Sequence, residues 1–321
     1  MKPKPKLADV GEDKAINTLI EVLGDSFNGG LLDKLDDAAA LHLEGVTIIK
    51  VDGTSERASK YPWMGLDDLT YRVLAGSALD IIAKGGRPRY TLISLGMPKE
   101  RTLEDIRLMG MGIREFAQRY GVRVLGGDFN ASEEPLGVWI DVTMLGEARK
   151  LIRMRGAQAG DKVYVTSCLG RSAIPALMHY LSIKGEIPSS VKEWLRRPEV
   201  PLSFLRYVDE VKATTDISDG LRSVSRFLKL NSLSLTLSEE LPICSDVVEF
   251  AEETGIEVED VLRFMGEEYA IIYVCNRGSG CGNGFLLGQL TEGSAGKVLL
   301  NGKELLGGWD NFRGFTLNST E

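Results

Sequence analysis

The chain of 321 residues contains only two histidines, His42 and His179, and this scarcity limits its chemistry. A zinc hydrolase site built on several histidines is nearly excluded, because such sites take most of their nitrogen ligands from that residue. Acids outnumber bases by 46 to 38, which gives a formal charge of −8. No nucleic acid is expected as a main partner, since binding to phosphate backbones requires a net basic face. Metal or acid–base chemistry is therefore expected to depend mostly on carboxylates.

Cysteine and long apolar segments are also scarce. The four cysteines form no C-x-x-C pair, and the chain is too long for a disulfide-stapled secreted module, so reduced and partly buried thiols are expected. No run approaches about 18 apolar residues, and the basic residues 1–6 are not followed by an apolar stretch. These absences predict a cytoplasmic protein with no signal peptide and no membrane span.

Apolar periodicity predicts that helices and strands alternate in both halves of the chain. Before residue 147, helices are predicted at 12–24, 65–84 and 102–120, with strands at 46–51, 90–95, 122–125 and 138–145. After residue 156, strands are predicted at 162–166, before Asp216, at 233–238 and at 269–275, with helices at 172–184, 219–230 and 246–254. The charged segment 147–156 separates the halves. We therefore predict two domains of mixed α and β structure, over residues 1–148 and 149–321.

Several aspartates follow apolar strands or adjoin glycine and other small residues, a setting that a solvated surface acid does not need. They are Asp36, Asp37, Asp52, Asp128, Asp216 and Asp219. Carboxylates gathered in such places repel one another unless cations compensate, and Mg²⁺ beside phosphates is the commonest case with oxygen ligands. Taken singly, each acid is equally well explained as a helix cap or turn residue, as Asp36 and Asp219 illustrate.

Asp80 lies on the predicted helix 65–84, and it follows Gly76 and Ser77 by four and three residues. These three residues share one helix face, on which the small side chains allow a ligand or another backbone to approach closely. Familiar phosphate-binding motifs are absent: there is no G-x-x-x-x-G-K-[ST] segment. The glycine-rich segment 278–284 fails the dinucleotide spacing at Asn283, which favours a flexible loop.

In order and spacing, these motifs resemble those of the thiamine-monophosphate kinase family, within the ATP-binding superfamily of aminoimidazole ribonucleotide synthetase. The resemblance runs from about residue 30 to 313. The matching segments are residues 36–39, 79–88, 126–128, 155–161, 216–221 and 266–269. The Gly127-Asp128 pair and the closing segment 308–312 favour the thiamine enzymes over selenophosphate synthetase and a hydrogenase maturation factor, which are relatives.

The resemblance implies Mg²⁺-dependent transfer of the ATP γ-phosphate to thiamine monophosphate. It also implies that the N-terminal sheets of two subunits pair into a β-barrel across a homodimer, and that a C-terminal α/β sandwich closes the nucleotide cleft. The implied Mg²⁺ ligands are Asp36, Asp37, Asp52, Asp80, Asp128, Asp216 and Asp219, of which Asp80, Asp128 and Asp216 are catalytic. The implied nucleotide contacts are Gly127, Asp128, Arg153, Arg155 and Ser218. The implied substrate contacts are Ser59, Glu267 and Trp309.

The chain departs from the family pattern next to several of these residues. Lys50 and Val51 stand where hydroxyl residues usually precede the aspartate matched by Asp52, and Lys50 either replaces a cation or points elsewhere. The other departures are Leu35, Met154, Val224 and Ala270. Two alternatives to the kinase therefore stay open: another ATP-dependent synthetase or maturation enzyme of the superfamily, and a divergent nucleotide-binding protein without kinase activity.

Overall fold

The computed structural model describes residues 5–27, 30–31, 38–133, 137–276 and 282–317. These residues divide into two compact units. The first unit comprises Met1–Ile81 and Gly86–Arg149, and the second comprises Ile82–Gly85 and Lys150–Glu321. Each unit combines helices with one main β-sheet, which confirms the predicted mixed α/β class.

The first unit is built on a four-stranded sheet. Its strands are β1 (Val46–Ser55), β2 (Gly86–Pro98), β3 (Arg123–Ser132) and β4 (Trp139–Ala148). Its helices are α1 (Leu7–Val10), α2 (Glu12–Leu23), α3 (Glu56–Ser59), α4 (Leu66–Ala83) and α5 (Leu103–Tyr120). The strand order is β1-β4-β2-β3. Only β2 and β3 are parallel, and α5 forms the crossover that parallel strands require.

Capping residues at both ends of helix α5 determine where the helix begins and ends. The Thr102 side chain accepts a hydrogen bond from the Asp105 amide, and the Asp105 carboxylate accepts one from the Thr102 amide at 2.8 Å. Gly121, at φ +68°, ends the helix in the left-handed conformation that glycine adopts readily. Between these ends, Gly112 lets α5 approach α4 closely, because a Cβ at this position would clash with the Asp67 carbonyl.

The two faces of this sheet have different surroundings. Ile140, Val142 and Met144, alternate residues of β4, are fully buried. Ile49 and Val51, alternate residues of β1, are 64% and 63% exposed. Because side chains alternate between faces along a strand, one face of the sheet is packed in the core, while the other presents apolar side chains at the surface of the single chain.

The second unit is built on a seven-stranded sheet in the order β11-β10-β7-β9-β5-β8-β6. Its strands are β5 (Lys162–Val165), β6 (Val211–Asp216), β7 (Ser234–Leu237), β8 (Ile271–Cys275), β9 (Phe285–Thr291), β10 (Val298–Leu300) and β11 (Lys303–Glu304), and β12 (Trp309–Asp310) and β13 (Gly314–Phe315) form a separate hairpin. Its helices are α6 (Ala173–Tyr180), α7 (Ser189–Arg196), α8 (Leu221–Asn231), α9 (Ser245–Thr254) and α10 (Val258–Arg263). All five residues of β8 are buried, so this strand forms the centre of the core.

The structure differs from several of the predicted element bounds. Strands β1 and β3 continue past Asp52 and Asp128, so both acids lie inside strands instead of at strand ends. The predicted helix 172–184 is the shorter α6, and the left-handed Ser182 (φ +53°) follows it. Periodicity did not predict α7, α10 or β9, because short elements contain too few turns or alternations to be recognised.

The expectation of reduced thiols is wrong for the described cysteines. Cys168 and Cys244 form a disulfide with a Cα–Cα distance of 4.9 Å, and Cys275 is also disulfide-bonded. The Cys168–Cys244 bond joins the segment after β5 to the start of α9. Two backbone hydrogen bonds join the same segments, from Leu169 N to Pro242 O at 2.8 Å and from Cys244 N to Leu169 O at 3.0 Å.

Among the described helices, none combines the length and the apolar character that crossing a bilayer demands.

We predict that Cys168→Ser lowers the free energy of unfolding by about 2–4 kcal/mol, because the bridge restricts the unfolded chain across a sequence separation of 76 residues. Denaturant unfolding without reductant measures this loss. Cys244→Ser and the double variant are expected to show the same loss, since each removes the same bond. A single variant as stable as the parent chain, or losses that add in the double variant, would contradict the prediction.

Candidate functional site

Three segments of the second unit that carry predicted site residues meet at the start of α8. They are residues 216–220, 263–270 and 307–310. Ile217 N donates a hydrogen bond to Ala270 O at 2.9 Å, which joins the first segment to the second. Trp309 N donates to Asp219 O at 3.0 Å, which joins the first to the third. The structure therefore brings together Asp216, Ser218, Asp219, Glu267 and Trp309, which lie up to 93 residues apart in sequence.

Gly308 is the residue that lets the third segment come so close. Its φ is +93°, and a Cβ at this position would lie 2.5 Å from both the Asp219 carbonyl oxygen and the Arg222 amide nitrogen. The Trp309 ring that follows is half-buried and packs edge-to-face on Phe315, with centroids 5.2 Å apart. The predicted stacking residue is thus held at its backbone beside Asp219.

The start of α8 carries charges of both signs. The Asp219 carboxylate accepts a close hydrogen bond from the Arg226 guanidinium, and Asp310 accepts one from Arg222. The two arginines belong to α8, and the two carboxylates lie just before the helix and in β12. Arg226 therefore compensates part of the negative charge of Asp219, which the family resemblance implies is compensated by Mg²⁺.

Glu268 is the buried acid of this site, with 1% of its surface exposed. One carboxylate oxygen accepts a hydrogen bond from Gly170 N at 2.9 Å, and the other accepts from Ser172 N at 3.2 Å and from Ser172 Oγ at 2.5 Å. Burial raises the pKa of Glu268 to about 7, although these donors favour the ionised form. Glu268 thereby anchors the 266–269 segment to the turn before α6.

Tyr269 has a backbone conformation that is rare for an aromatic residue, with φ +49°. Such a conformation costs on the order of 1–3 kcal/mol, and it persists where the surrounding contacts impose it. Here the Tyr269 hydroxyl donates to Glu267 Oε2 at 2.7 Å, and its ring packs edge-to-face on Trp194. Glu267, a predicted substrate contact, is therefore oriented by Tyr269, two residues further along the chain.

The two arginines predicted to contact nucleotide occupy different surroundings. Arg153 is exposed, and its carbonyl accepts a hydrogen bond from Thr214 N at 3.0 Å, two residues before Asp216. Arg155 donates to the carbonyl of Leu230 at the far end of α8, a helix of 11 residues and therefore roughly 16 Å long. The structure thus brings Arg153 toward the cluster but not Arg155, whose nucleotide role stays a prediction.

In the first unit, alternate residues of β1 form a polar row on one face of the strand. Lys50 Nζ lies 2.6 Å from Asp80 Oδ2 near the end of α4. Thr54 Oγ1 lies 2.5 Å from Ser59 Oγ at the end of α3. Asp52 lies between them on the same face and is half-buried. The predicted residues Asp52, Asp80 and Ser59 are therefore brought together along this row.

Asp128 faces the other way. It is the register partner of Ser94, which pairs with Asp141, which pairs with Gly53, so these four residues form one row across the sheet. A Cβ at Gly53 would clash with the Asp141 carboxylate, which locates that carboxylate on this face. Asp52 lies one residue before Gly53 and therefore points to the opposite face. Asp141 was not among the predicted site residues, although it is the one acid in the otherwise uncharged segment 138–146.

Gly127 is exposed in β3 and pairs in register with Ile93. Asp36 and Asp37 lie outside the described residues.

Comparison with known proteins places this arrangement in a family. The family "AIR synthase related protein, N-terminal domain" matches residues 35–148. The thiamine-monophosphate kinase of Aquifex aeolicus is 26% identical over 75% of this chain and 80% of its own length. The thiamine-monophosphate kinase of Bacillus subtilis is 32% identical over 66% of this chain and 69% of its own length. The chain belongs to the thiamine-monophosphate kinase family.

Solved structures of this family and its superfamily have the same fold. AaThiL complexed with AMPPCP and TMP superimposes with a TM-score of 0.74 over 96% of this chain and 99% of that one, at 23% identity. The hydrogenase maturation protein HypE in complex with ATP gives a TM-score of 0.71 at 16% identity, over 97% and 96% of the two chains. Because both values are high, the fold alone does not separate kinases from maturation proteins.

The family implies Mg²⁺, and the donor chemistry of the site fits this ion. The predicted ligands are carboxylates, the hard oxygen donors that Mg²⁺ prefers. Within the described residues, no group of three or more His, Cys, Asp or Glu side chains is arranged to hold a metal ion. This arrangement is compatible with Mg²⁺ held by one or two carboxylates together with substrate phosphates, as is usual for this ion.

We predict that the stability difference between the parent chain and Glu268→Gln depends on pH. Because the folded-state pKa of Glu268 is raised to about 7, the folded parent keeps a proton that the unfolded chain loses above pH 4.5. Raising the pH from about 4.5 to 7 should therefore destabilise the parent relative to Glu268→Gln, by at most about 1.4 kcal/mol per pH unit. Denaturant unfolding at several pH values measures this effect.

The matched control is Glu252→Gln, at an exposed position of α9. If parent and Glu268→Gln differ by a constant amount between pH 4.5 and 7, the assignment of this titration to Glu268 is wrong.

Proposed function

We propose that this chain transfers the γ-phosphate of ATP to thiamine monophosphate and releases ADP and thiamine diphosphate. The observation that carries the proposal is the convergence of residues 216–220, 266–269 and 307–310 at the start of α8. These are the segments that the sequence shares with the family, and they supply both carboxylates and an aromatic ring. Relatives named thiamine-monophosphate kinase support it further.

The proposed chemistry needs positioning more than a covalent catalyst. The acceptor phosphate is largely ionised near pH 7, so no strong general base is required. An oxygen of this phosphate attacks the γ-phosphorus as the bond to the ADP oxygen breaks. The residues must therefore hold two anionic groups together against their mutual repulsion.

The residues of the second unit suit an acceptor that carries a cationic ring. Trp309 presents a half-buried aromatic surface, on which a cation is favourably placed. The Glu267 carboxylate, held by Tyr269, adds negative charge in the 266–269 segment, which meets the Trp309 segment at the start of α8. We assign the acceptor's ring to this side of the unit.

In the second unit, the Asp216 carboxylate would hold Mg²⁺. In the first unit, the carboxylates of Asp52 and Asp128 would each hold such an ion separately, because they lie on opposite faces of the sheet. When bound, the ion neutralises phosphate charge and helps to align the reacting groups.

A coupled assay for ADP release tests the function directly. We predict turnover that requires ATP, Mg²⁺ and thiamine monophosphate together. Asp216→Asn should lower kcat by roughly 10²–10³-fold, as expected for the loss of one electrostatic stabiliser. The matched control is Asp209→Asn, because Asp209 is an exposed acid before the opposite end of β6.

The alternatives give different results in the same assay. Turnover with another phosphate acceptor, and none with thiamine monophosphate, would identify a different enzyme of the superfamily. Tight Mg²⁺-dependent binding of a non-hydrolysable ATP analogue without turnover on any acceptor would identify a nucleotide-binding protein.

We also propose that the chain forms a homodimer through the exposed face of the first-unit sheet. Ile49 and Val51 would bury their side chains there, and their exposure in a single chain supports this use. A cytoplasmic location is proposed because ATP is the phosphate donor. The Cys168–Cys244 bond is unusual for that compartment, where thiols are generally kept reduced.

We predict that the parent chain sediments as a dimer and that Val51→Lys shifts it to the monomer, because the variant buries a charge in the interface. Sedimentation velocity at several concentrations provides the measurement. Val248→Lys, at a 38% exposed position of α9 in the second unit, is the control expected to stay dimeric. A monomeric parent chain, or a Val51→Lys variant that remains dimeric, would refute this interface.

A further inference from the structure

The ion pair between Lys50 and Asp80 occupies a position where the sequence pattern predicts a metal ligand. Lys50 Nζ lies 2.6 Å from Asp80 Oδ2, and the two side chains are 36% and 26% exposed. Both residues belong to the first unit, and Lys50 lies on the same face of β1 as Asp52. The lysine therefore points toward the predicted acids, which the sequence alone left undecided.

The position of Asp80 in its helix explains why it needs a cation. Asp80 lies in the last turn of α4, where the helix dipole is negative and a carboxylate is destabilised. Either a metal ion or a basic side chain can compensate for this charge. Lys50 provides a compact ammonium group on a long stem, which suits a point-charge contact.

The strand fixes the direction of the lysine. Lys50 pairs in register with Met144 of β4, which is fully buried, so the Lys50 stem leaves β1 on the core face of the sheet. The charged end then reaches the partly exposed Asp80. The contact is thus set by sheet register and by the position of α4.

We propose that the Lys50 ammonium replaces one Mg²⁺ ion at Asp80. The chain then binds one divalent ion fewer per nucleotide than the same site would with a hydroxyl residue at position 50. This inference rests on the proposed function, because it assumes that Mg²⁺ and ATP bind near Asp52 and Asp80. A Mg²⁺ ion at Asp80 would lie beside the ammonium, and the two positive charges would repel each other.

The second unit repeats the pattern independently. Asp219, another predicted metal ligand, is paired with the Arg226 guanidinium. The two ion pairs indicate that protein cations take over charge that the sequence pattern assigns to metal.

The test counts bound Mn²⁺ in the presence of a saturating non-hydrolysable ATP analogue, with the free ion measured by electron paramagnetic resonance. Lys50→Thr removes the ammonium group from Asp80 and adds a hydroxyl ligand, so it should bind one more Mn²⁺ per chain than the parent. Asp80→Asn should leave the count of the parent unchanged, because Asp80 holds no ion there. In Lys50→Thr combined with Asp80→Asn, the additional ion should be lost again.

The matched control is Lys297→Thr, which removes a similarly exposed ion pair to Glu304 and should leave the Mn²⁺ count unchanged. A Lys50→Thr count equal to that of the parent, or the loss of one ion in Asp80→Asn, would overturn the proposal. If Lys50→Thr does not fold, the Mn²⁺ count of Asp80→Asn still tests the proposal, because the loss of one ion in that variant would contradict it.

The Mn²⁺ count tests the role of Lys50, and the kinase assay tests the proposed function, so their outcomes can be told apart. If the parent shows no turnover on thiamine monophosphate but the counts behave as stated, the acceptor assignment is wrong and the role of Lys50 stands. If turnover is found and the counts do not behave as stated, only the role of Lys50 is wrong. Absence of any nucleotide-dependent Mn²⁺ binding would overturn both.

Discussion

Compensation of carboxylate charge is the constraint on which the candidate site residues of each unit depend. A carboxylate that is partly removed from water is stable only if a cation or several hydrogen-bond donors face it. The chain uses both solutions: Lys50 faces Asp80, Arg226 faces Asp219, and three donors surround Glu268. Since the chain has only two histidines, the negative site must be balanced by lysine, arginine, backbone amides or bound metal.

In the first unit, the register of the sheet places the charged residues on two different faces. Lys50 and Asp52 lie on the face of β1 that reaches α4, whereas Asp128 and Asp141 belong to the opposite face with Ser94. A shift of register by one residue would exchange the two sets. Burial of Val142 and Met144 on the first face prevents such a shift, so core packing determines which acids can act together.

Long, strongly periodic elements could be predicted from the sequence, and the residues between them less well. Helices α2, α4 and α5 agree closely with their apolar stripes. The segments around Asp216 and Trp309, which the family resemblance singles out, are joined by a backbone hydrogen bond from Trp309 to Asp219. The partner of Lys50 could not be predicted, because sequence spacing shows which face of the strand a residue occupies but not which helix residue packs against that face. The Cys168–Cys244 bond was missed for the same reason, since it depends on a contact between residues 76 apart.

Lys50 and Arg226 make charge compensation at Asp80 and Asp219 less dependent on the concentration of free metal ions than compensation by metal alone would be. A bound ion is lost when its concentration falls, whereas an ammonium or guanidinium group carried by the chain remains. Such a group has a single charge and fewer geometric demands than Mg²⁺, which requires near-octahedral oxygen ligands. Lys50 and Arg226 can therefore hold Asp80 and Asp219 in place without a bound ion, and under the role proposed for Lys50 the phosphates bring one ion fewer with them. Positioning in this chain is thus built partly into the fold before any cofactor is bound.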